Sequence, residues 1–416
     1  MRLSDEAALV ELSEGVRAYY LRVKDNKAAA VVSLMHVEHL YYKHDTVASA
    51  VQRAHEFNKT WGKYSDLHPA SLGKASATIF ESKVKMSSAT IHPAAFMGNP
   101  SVVQPIHDAA AKLEELCQFI FKHGDDRSRT RALLCSVYHH ALHDRYYVAR
   151  DKLLMSHIQD NIDKVDTKTM ILYNRALVTI GLSAFREGLV QKAHDCLSGV
   201  CSGRVRELLA QGQARWPEKD PEQEKVERRR QMPYHMHINP DLLDCVHLTS
   251  AMLLELPALA RGNLGSYQHV ISKQFRKFMT GYNRQKFTGP PENTREHIMA
   301  ATNCLLAGDW QKACDYILKL EVWNLIPGEG GLKVKDTLKI RIKEEALRTY
   351  LIKYGAHYDS MDLSHLCDVS PPSAFSSYCI TASEYSSTYL IRLSHLLYIS
   401  RHLRLRKVLR DVQSVE

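Results

Sequence analysis

Four residues within one short stretch, His139, His140, His143 and Asp144, have the side chains best suited to holding a metal ion. His139 and His143 stand four apart, so a helix would set both imidazoles on one face. A zinc hydrolase with that spacing needs Glu directly after the first His as its base, and position 140 is His instead. No third ligand is evident near them. The cluster therefore reads as packing and side-chain hydrogen bonding, with no metal, cofactor or catalytic role. His235 and His237 flank Met236. A spacing of two does not put both on one helix face, so an extended connector with buried rings is expected there.

The other chemistry is cationic. Arg228, Arg229 and Arg230 form a dense basic run with Lys225 one turn earlier, and Glu222, Glu224 and Glu227 are close enough to pair with them. The guanidinium fork suits phosphate oxygens, so these four residues are candidate contacts to RNA or a partner subunit. Near the end, Arg392, Arg401, Arg404, Arg406, Lys407 and Arg410 face a single nearby acid, Asp411. Leu393, Leu396, Leu397 and Leu403 interleave with them, which predicts a basic amphipathic helix. Arg404, Arg406 and Lys407 join the candidate contacts. No nucleotide-binding Gly-x-x-x-x-Gly-Lys loop, no Gly-x-Ser-x-Gly elbow and no paired catalytic carboxylates occur. Gly328-Glu329-Gly330-Gly331 follows no strand and is not read as a phosphate loop. A non-enzyme without a small-molecule substrate is expected.

The elements that must carry these residues are helices. Leu133, Leu134, Val137, Tyr138, Ala141 and Leu142 make one apolar stripe; Tyr173, Leu177, Ile180 and Ala184 make another; Leu242, Val246, Thr249 and Leu253 make a third. A unit recurs on this background. A helix ends at Gly188 and the next carries Ala193; Gly308 and Ala313 repeat the spacing, with Asp144/Ala149 and Asp45/Ala50 as weaker copies. A left-handed turn residue followed by a small residue lets the second helix pack closely on the first, as in tetratricopeptide-like pairs. Trp310 is expected to lie between the two helices that flank Gly308. Asn239 and Pro240 read as the cap and first turn of a helix.

The 416 residues include 45% hydrophobic and 24% charged side chains, as in globular proteins, and the longest uncharged apolar run, Ala28 to Met35, falls short of a membrane span. The N-terminus lacks the apolar core of a secretory signal. Nine scattered cysteines without a Cys-x-x-Cys argue for a reducing compartment, the cytoplasm. The net charge of +9 favours an acidic partner such as RNA without deciding for one.

Several ordered strings resemble the c-subunit family of eukaryotic translation initiation factor 3. They include Val137-Tyr138-His139-His140-Ala141-Leu142-His143-Asp144-Arg145-Tyr146-Tyr147, Leu154-Met155-Ser156-His157-Ile158-Gln159-Asp160-Asn161 and Ile171-Leu172-Tyr173-Asn174-Arg175. They continue through Gln223-Glu224-Lys225-Val226-Glu227-Arg228-Arg229-Arg230-Gln231, Tyr234-His235-Met236-His237-Ile238-Asn239, Gly289-Pro290-Pro291-Glu292 and Glu345-Ala346-Leu347-Arg348-Thr349-Tyr350-Leu351. The likeness runs from roughly Leu113 to about Asp368, with a looser match over residues 6–60, and corresponds to the C-terminal half of the family's chain. It implies a PCI module, a helical solenoid followed by a winged helix that pairs subunits in large assemblies. After Asp368 the sequence departs from the family, so the winged helix is expected to be partial or divergent, begun by a helix over Ser360–Cys367.

The fold expected is all-α: a right-handed, tetratricopeptide-like helical-repeat solenoid leading into that module. The divisions are an N-terminal helical segment (1–66), a flexible connector (67–104), a helical-repeat block (105–215), a charged hinge (216–239), a PCI helical block (240–358) and the partial winged helix with basic tail (359–416). The function implied is a non-enzymatic scaffold in translation initiation. Its partners would be the other subunits of the factor, notably another PCI subunit, the small ribosomal subunit and its RNA, and other initiation factors, with no membrane. The alternatives are a PCI scaffold of the proteasome lid or signalosome, or a stand-alone basic RNA-binding module.

Overall fold

The computed structural model describes residues 6–48, 51, 109–201, 205–212, 221–262, 270–286, 289–326, 330–354, 360–361 and 391–392. Among them the chain is helical, apart from one antiparallel pairing of two-residue strands, β1 (Ser360–Met361) with β2 (Ile391–Arg392). The expected all-α class holds. Residue contacts divide the chain into two compact units, 1–180 and 181–416.

The first unit is a series of sequential helix neighbours: α1 (Glu6–Val23), α2 (Asn26–Leu40), α3 (Ala109–His123), α4 (Asp126–Leu142) and α5 (Tyr146–Met155). Each packs on the next, and α2 also touches α4. The stripe on α4 buries as its spacing predicts, with Leu134, Val137 and Ala141 at 0% exposure. Beside it Tyr41 and Tyr138 meet edge-on, ring centroids 5.1 Å apart. The buried guanidinium of Arg175, on α6 (Thr167–Arg186), lies 5.8 Å from the Tyr138 ring centroid. A cation against an aromatic face is a low-cost way to hold charge in an apolar interior.

The second unit is organised by α9 (Pro240–Ala260), which contacts α7 (Val190–Ser198), α11 (Thr294–Ala307) and α13 (Gly330–Tyr354). Asn239 caps α9 by accepting the Asp241 N–H at 2.9 Å, with Pro240 in the first turn, as the sequence predicts. The helix is long and apolar enough to resemble a membrane span, but it buries residues on every side, including Val246, Leu248, Met252 and Leu256. It also buries Glu255. Its Oε1 accepts the Ile271 and Ser272 N–H groups, both at 2.7 Å, at the start of α10 (Lys273–Asn283). Its Oε2 accepts Arg276 Nε and Nη2 at 3.1 and 2.9 Å. Phe185 stacks on Trp323, centroids 5.8 Å apart, and the Trp323 indole N–H donates to the Ile317 carbonyl at 2.8 Å.

The turn-alanine units share one hydrogen-bond pattern. At Gly188 (φ 77°), the Gly188 N–H donates to Phe185 O and the Leu189 N–H to Ala184 O. At Gly308 (φ 101°), the donors are Gly308 to Leu305 O and Asp309 to Cys304 O. At Asp144 (φ 59°), Asp144 donates to Ala141 O and Arg145 to His140 O. All three are left-handed helix stops of the Schellman kind. Ala193, Ala313 and Ala149, five residues on, are each 0% exposed.

Trp310, at the start of α12 (Trp310–Leu318), is half-buried, with the Lys343 ammonium of α13 5.2 Å from its ring centroid. Three expectations need correction. Asp45 opens a helical turn over 45–48 rather than closing one. Ser360 and Met361 are strand, not the first turn of a helix over Ser360–Cys367. Arg392 likewise sits in β2 rather than in an amphipathic helix; cross-strand pairing has displaced helical spacing there. The connector over 67–104 and the remainder of the winged helix and tail lie outside the described residues.

Candidate nucleic-acid and partner interface

The basic run is carried by α8 (Pro221–Arg230). Its sequence is ordered for a helix: Pro at the start, Glu222 and Glu224 in the first turn, and Arg228, Arg229 and Arg230 in the last. This places negative charge at the positive end of the backbone dipole and positive charge at the other. Arg228 Nη2 donates to Glu224 Oε1 at 2.7 Å, the (i, i+4) pairing the sequence suggests. Lys225, Arg229 and Arg230 are exposed, and among the described residues neither Arg229 nor Arg230 makes an ion pair.

The chain then turns sharply. The Met232 N–H donates to Ala210 O at 2.9 Å, and Tyr234–Met236 forms a single 3₁₀ turn. The segment is not an extended connector with buried rings. His235 is exposed, and His237 is half-buried with Nε2 2.8 Å from Met232 O. Tyr234, 89% exposed, follows the arginines closely in the chain. Guanidinium groups to grip phosphate and an exposed aromatic face on which a base can stack make a surface suited to single-stranded RNA. Sequence reasoning does not single out Tyr234. An aromatic residue directly after a basic run and a proline is the available signal. Arg404, Arg406 and Lys407 lie outside the described residues.

The histidine cluster divides. His140 turns to Lys152, whose Nζ lies 2.7 Å from its Nε2. His139 and His143 turn to Asp45, with Nε2 of His139 3.1 Å from Oδ1 and Nε2 of His143 3.2 Å from Oδ2. Their rings lie 4.5 Å apart, and the His44 ring lies 4.4 Å from that of His143. Burial, followed by the positive charges of Lys152 and Arg145, lowers the His140 pKa to about 4. Burial, then His139, lowers His143 to about 4 against the opposing pull of Asp45. His139 is lowered by burial as well. Asp144 forms the turn after α4.

Fold and surface define a class: a protein that is helical over nearly all of its described residues, with an exposed basic helix end followed by an exposed tyrosine. The sequence model of the family described as "Eukaryotic translation initiation factor 3 subunit 8 N-terminus" matches residues 1–265, more than half of the chain, and the chain belongs to that family. It is 47% identical over 270 residues to a protein of Phaeosphaeria nodorum, covering 63% of this chain and 31% of that one. It is 40% identical over 374 residues to a protein of Mycosarcoma maydis, covering 88% and 38% respectively. A protein of Neurospora crassa is 47% identical over 264 residues, covering 62% and 30%. All three relatives bear the name of the c subunit of eukaryotic translation initiation factor 3. The chain spans about a third of the length of these relatives.

Proposed function

We propose that this chain is a non-enzymatic scaffold segment of the c subunit of translation initiation factor 3, working in the cytoplasm. It would support assembly of the factor and its binding to the small ribosomal subunit. The observation that carries this reading is the identity of 40% over 374 residues to a relative bearing that name. It favours the initiation factor over the proteasome lid, the signalosome or a stand-alone RNA-binding module. The stacked helix pairs of both units support a helical-repeat solenoid leading into a PCI module, because left-handed stops followed by buried alanines let successive pairs stack. A place in the C-terminal half belongs to the proposal, since the matched description names the subunit's N-terminus and leaves residues 266–416 outside the match. Among the described residues the five buried cysteines are free thiols, which suits a reducing compartment.

Other subunits of the factor, another PCI subunit among them, are the proposed partners. Other initiation factors join them, and small-subunit RNA would meet Lys225, Arg228, Arg229, Arg230 and Tyr234. The test is to express the tagged full chain in eukaryotic cells and identify what co-purifies, with and without nuclease. A fixed set of initiation-factor subunits that survives nuclease is expected. RNA alone, or lid or signalosome subunits, would overturn the reading.

A further inference from the structure

Asp45, His139 and His143 converge although 94 residues separate Asp45 from His139. Their ligand atoms all lie within 4.8 Å of one another. The two imidazoles stand on one face of α4, four residues apart, and both present Nε2 to the carboxylate. Two ligands of a tetrahedral zinc ion, each about 2.0–2.1 Å from the metal, sit about 3.3 Å apart. The observed separations of 3.1 Å to Oδ1 and 3.2 Å to Oδ2 of Asp45 are close to that edge, and one ligand atom from each of the three residues falls within 4.8 Å of the others.

A second observation points the same way. The His143 side chain is only 10% exposed, yet its Nε2 makes no hydrogen bond of acceptable geometry despite lying 3.2 Å from Asp45. A buried ring nitrogen without a bond is costly, and a metal ion would use its lone pair. The Asp45 side chain is 30% exposed, which leaves an approach for an ion and room for water as a fourth ligand.

We propose that Asp45, His139 and His143 form a zinc site that clips the turn after α2 to α4. Imidazole nitrogens with one carboxylate select a zinc-class ion over magnesium or calcium, which prefer all-oxygen shells. The clip has a structural role: it ties chain segments far apart in sequence within the first unit.

The full chain, stripped with a chelator, should be titrated with Zn²⁺ against a chromophoric competitor, with Co²⁺ as a spectroscopic probe. Asp45→Asn and His143→Gln are the test variants, and His140→Gln, whose ring faces Lys152, is the control. One tight zinc equivalent is expected in the parent and in His140→Gln, with a higher Tm on zinc addition. Both test variants should weaken that equivalent at least tenfold and lose the low-symmetry cobalt absorption. Should His143→Gln fail to fold by circular dichroism, the isosteric Asp45→Asn decides. Equal zinc affinity in the parent and Asp45→Asn, or no tight equivalent in the parent, would overturn the proposal.

Discussion

Among the described residues, left-handed backbone falls on side-chain-bearing residues in the first unit and mostly on glycine in the second. Lys24 (φ 64°), Asp144 (φ 59°) and His157 (φ 50°) take left-handed backbone in residues 1–180. Gly188, Gly262 and Gly308 do so in residues 181–416, together with Ala210. The difference extends to charge. The first unit ties its helices with half-buried polar links, such as Arg131 to Glu38 at 2.7 Å and the Asp45 cluster. The second holds, among its described residues, one fully buried carboxylate, Glu255, with every lone-pair direction engaged. The two units share a class of structure but are vulnerable to different conditions: the first to titration, the second to truncation of a few buried groups.

Acidification should separate them most. His36, His140 and His143 in the first unit have pKa values lowered to about 4, mainly by burial, against an ordinary 6.5. A depressed histidine is protonated first in the unfolded chain. Its stabilisation is thus complete above pH 6.5 and is lost as pH falls from there toward 4. In the second unit His247 is lowered to about 4 and His194 is lowered in the same direction. Hydrogen exchange of the full chain at pH 7 and pH 5, corrected for intrinsic rates, should show a larger loss of protection in α2 and α4 than in α7 and α9, which carry His194 and His247. Equal loss would remove the contrast.

Truncating the buried anion comes next. Glu255→Ala strands Arg276 and two backbone N–H groups in the interior and should cost about 3–5 kcal/mol. Glu38→Ala, which opens a half-buried pair, should cost about 1 kcal/mol. Denaturant unfolding of both variants measures the ratio; similar values would show that burial is not what distinguishes the links.

The smallest effects sharpen the comparison of turns. Gly308→Val should cost about 1–2 kcal/mol from backbone strain alone, because a Cβ there meets nothing within 4 Å. Gly188→Val should cost more, since its Cβ would lie 3.0 Å from Thr337 Cγ2. Asp144→Gly should instead stabilise by under about 1 kcal/mol, relieving a left-handed Asp. Thermal unfolding of the three variants gives the order directly.

Legibility follows the same division. Gly188 and Gly308 are readable because glycine before a small residue at helical spacing has one economical explanation, and the cap at Asn239-Pro240 is equally local. The basic end of α8 is readable from its order of charges. Asp45 reads wrongly as a helix stop because its partners, His139 and His143, stand 94 or more residues away and only tertiary packing joins them. Tyr234 escapes for a local reason: a 3₁₀ turn and a strand entry look alike in a sequence that alternates apolar and polar residues. At β1 and β2 the pairing crosses about 30 residues, a distance over which periodicity carries no information.

The stacking of Phe185 on Trp323 has a consequence for synthesis. The two rings complete one core, yet about 140 residues separate them. At translation rates of roughly 5–20 residues per second, Phe185 is made roughly 7–28 s before Trp323. Through that interval α7 and α9 emerge with their apolar faces uncovered. The nascent chain is thus a customer for chaperones until its last long helices arrive, and a transcript ending before residue 323 would encode a protein prone to aggregate.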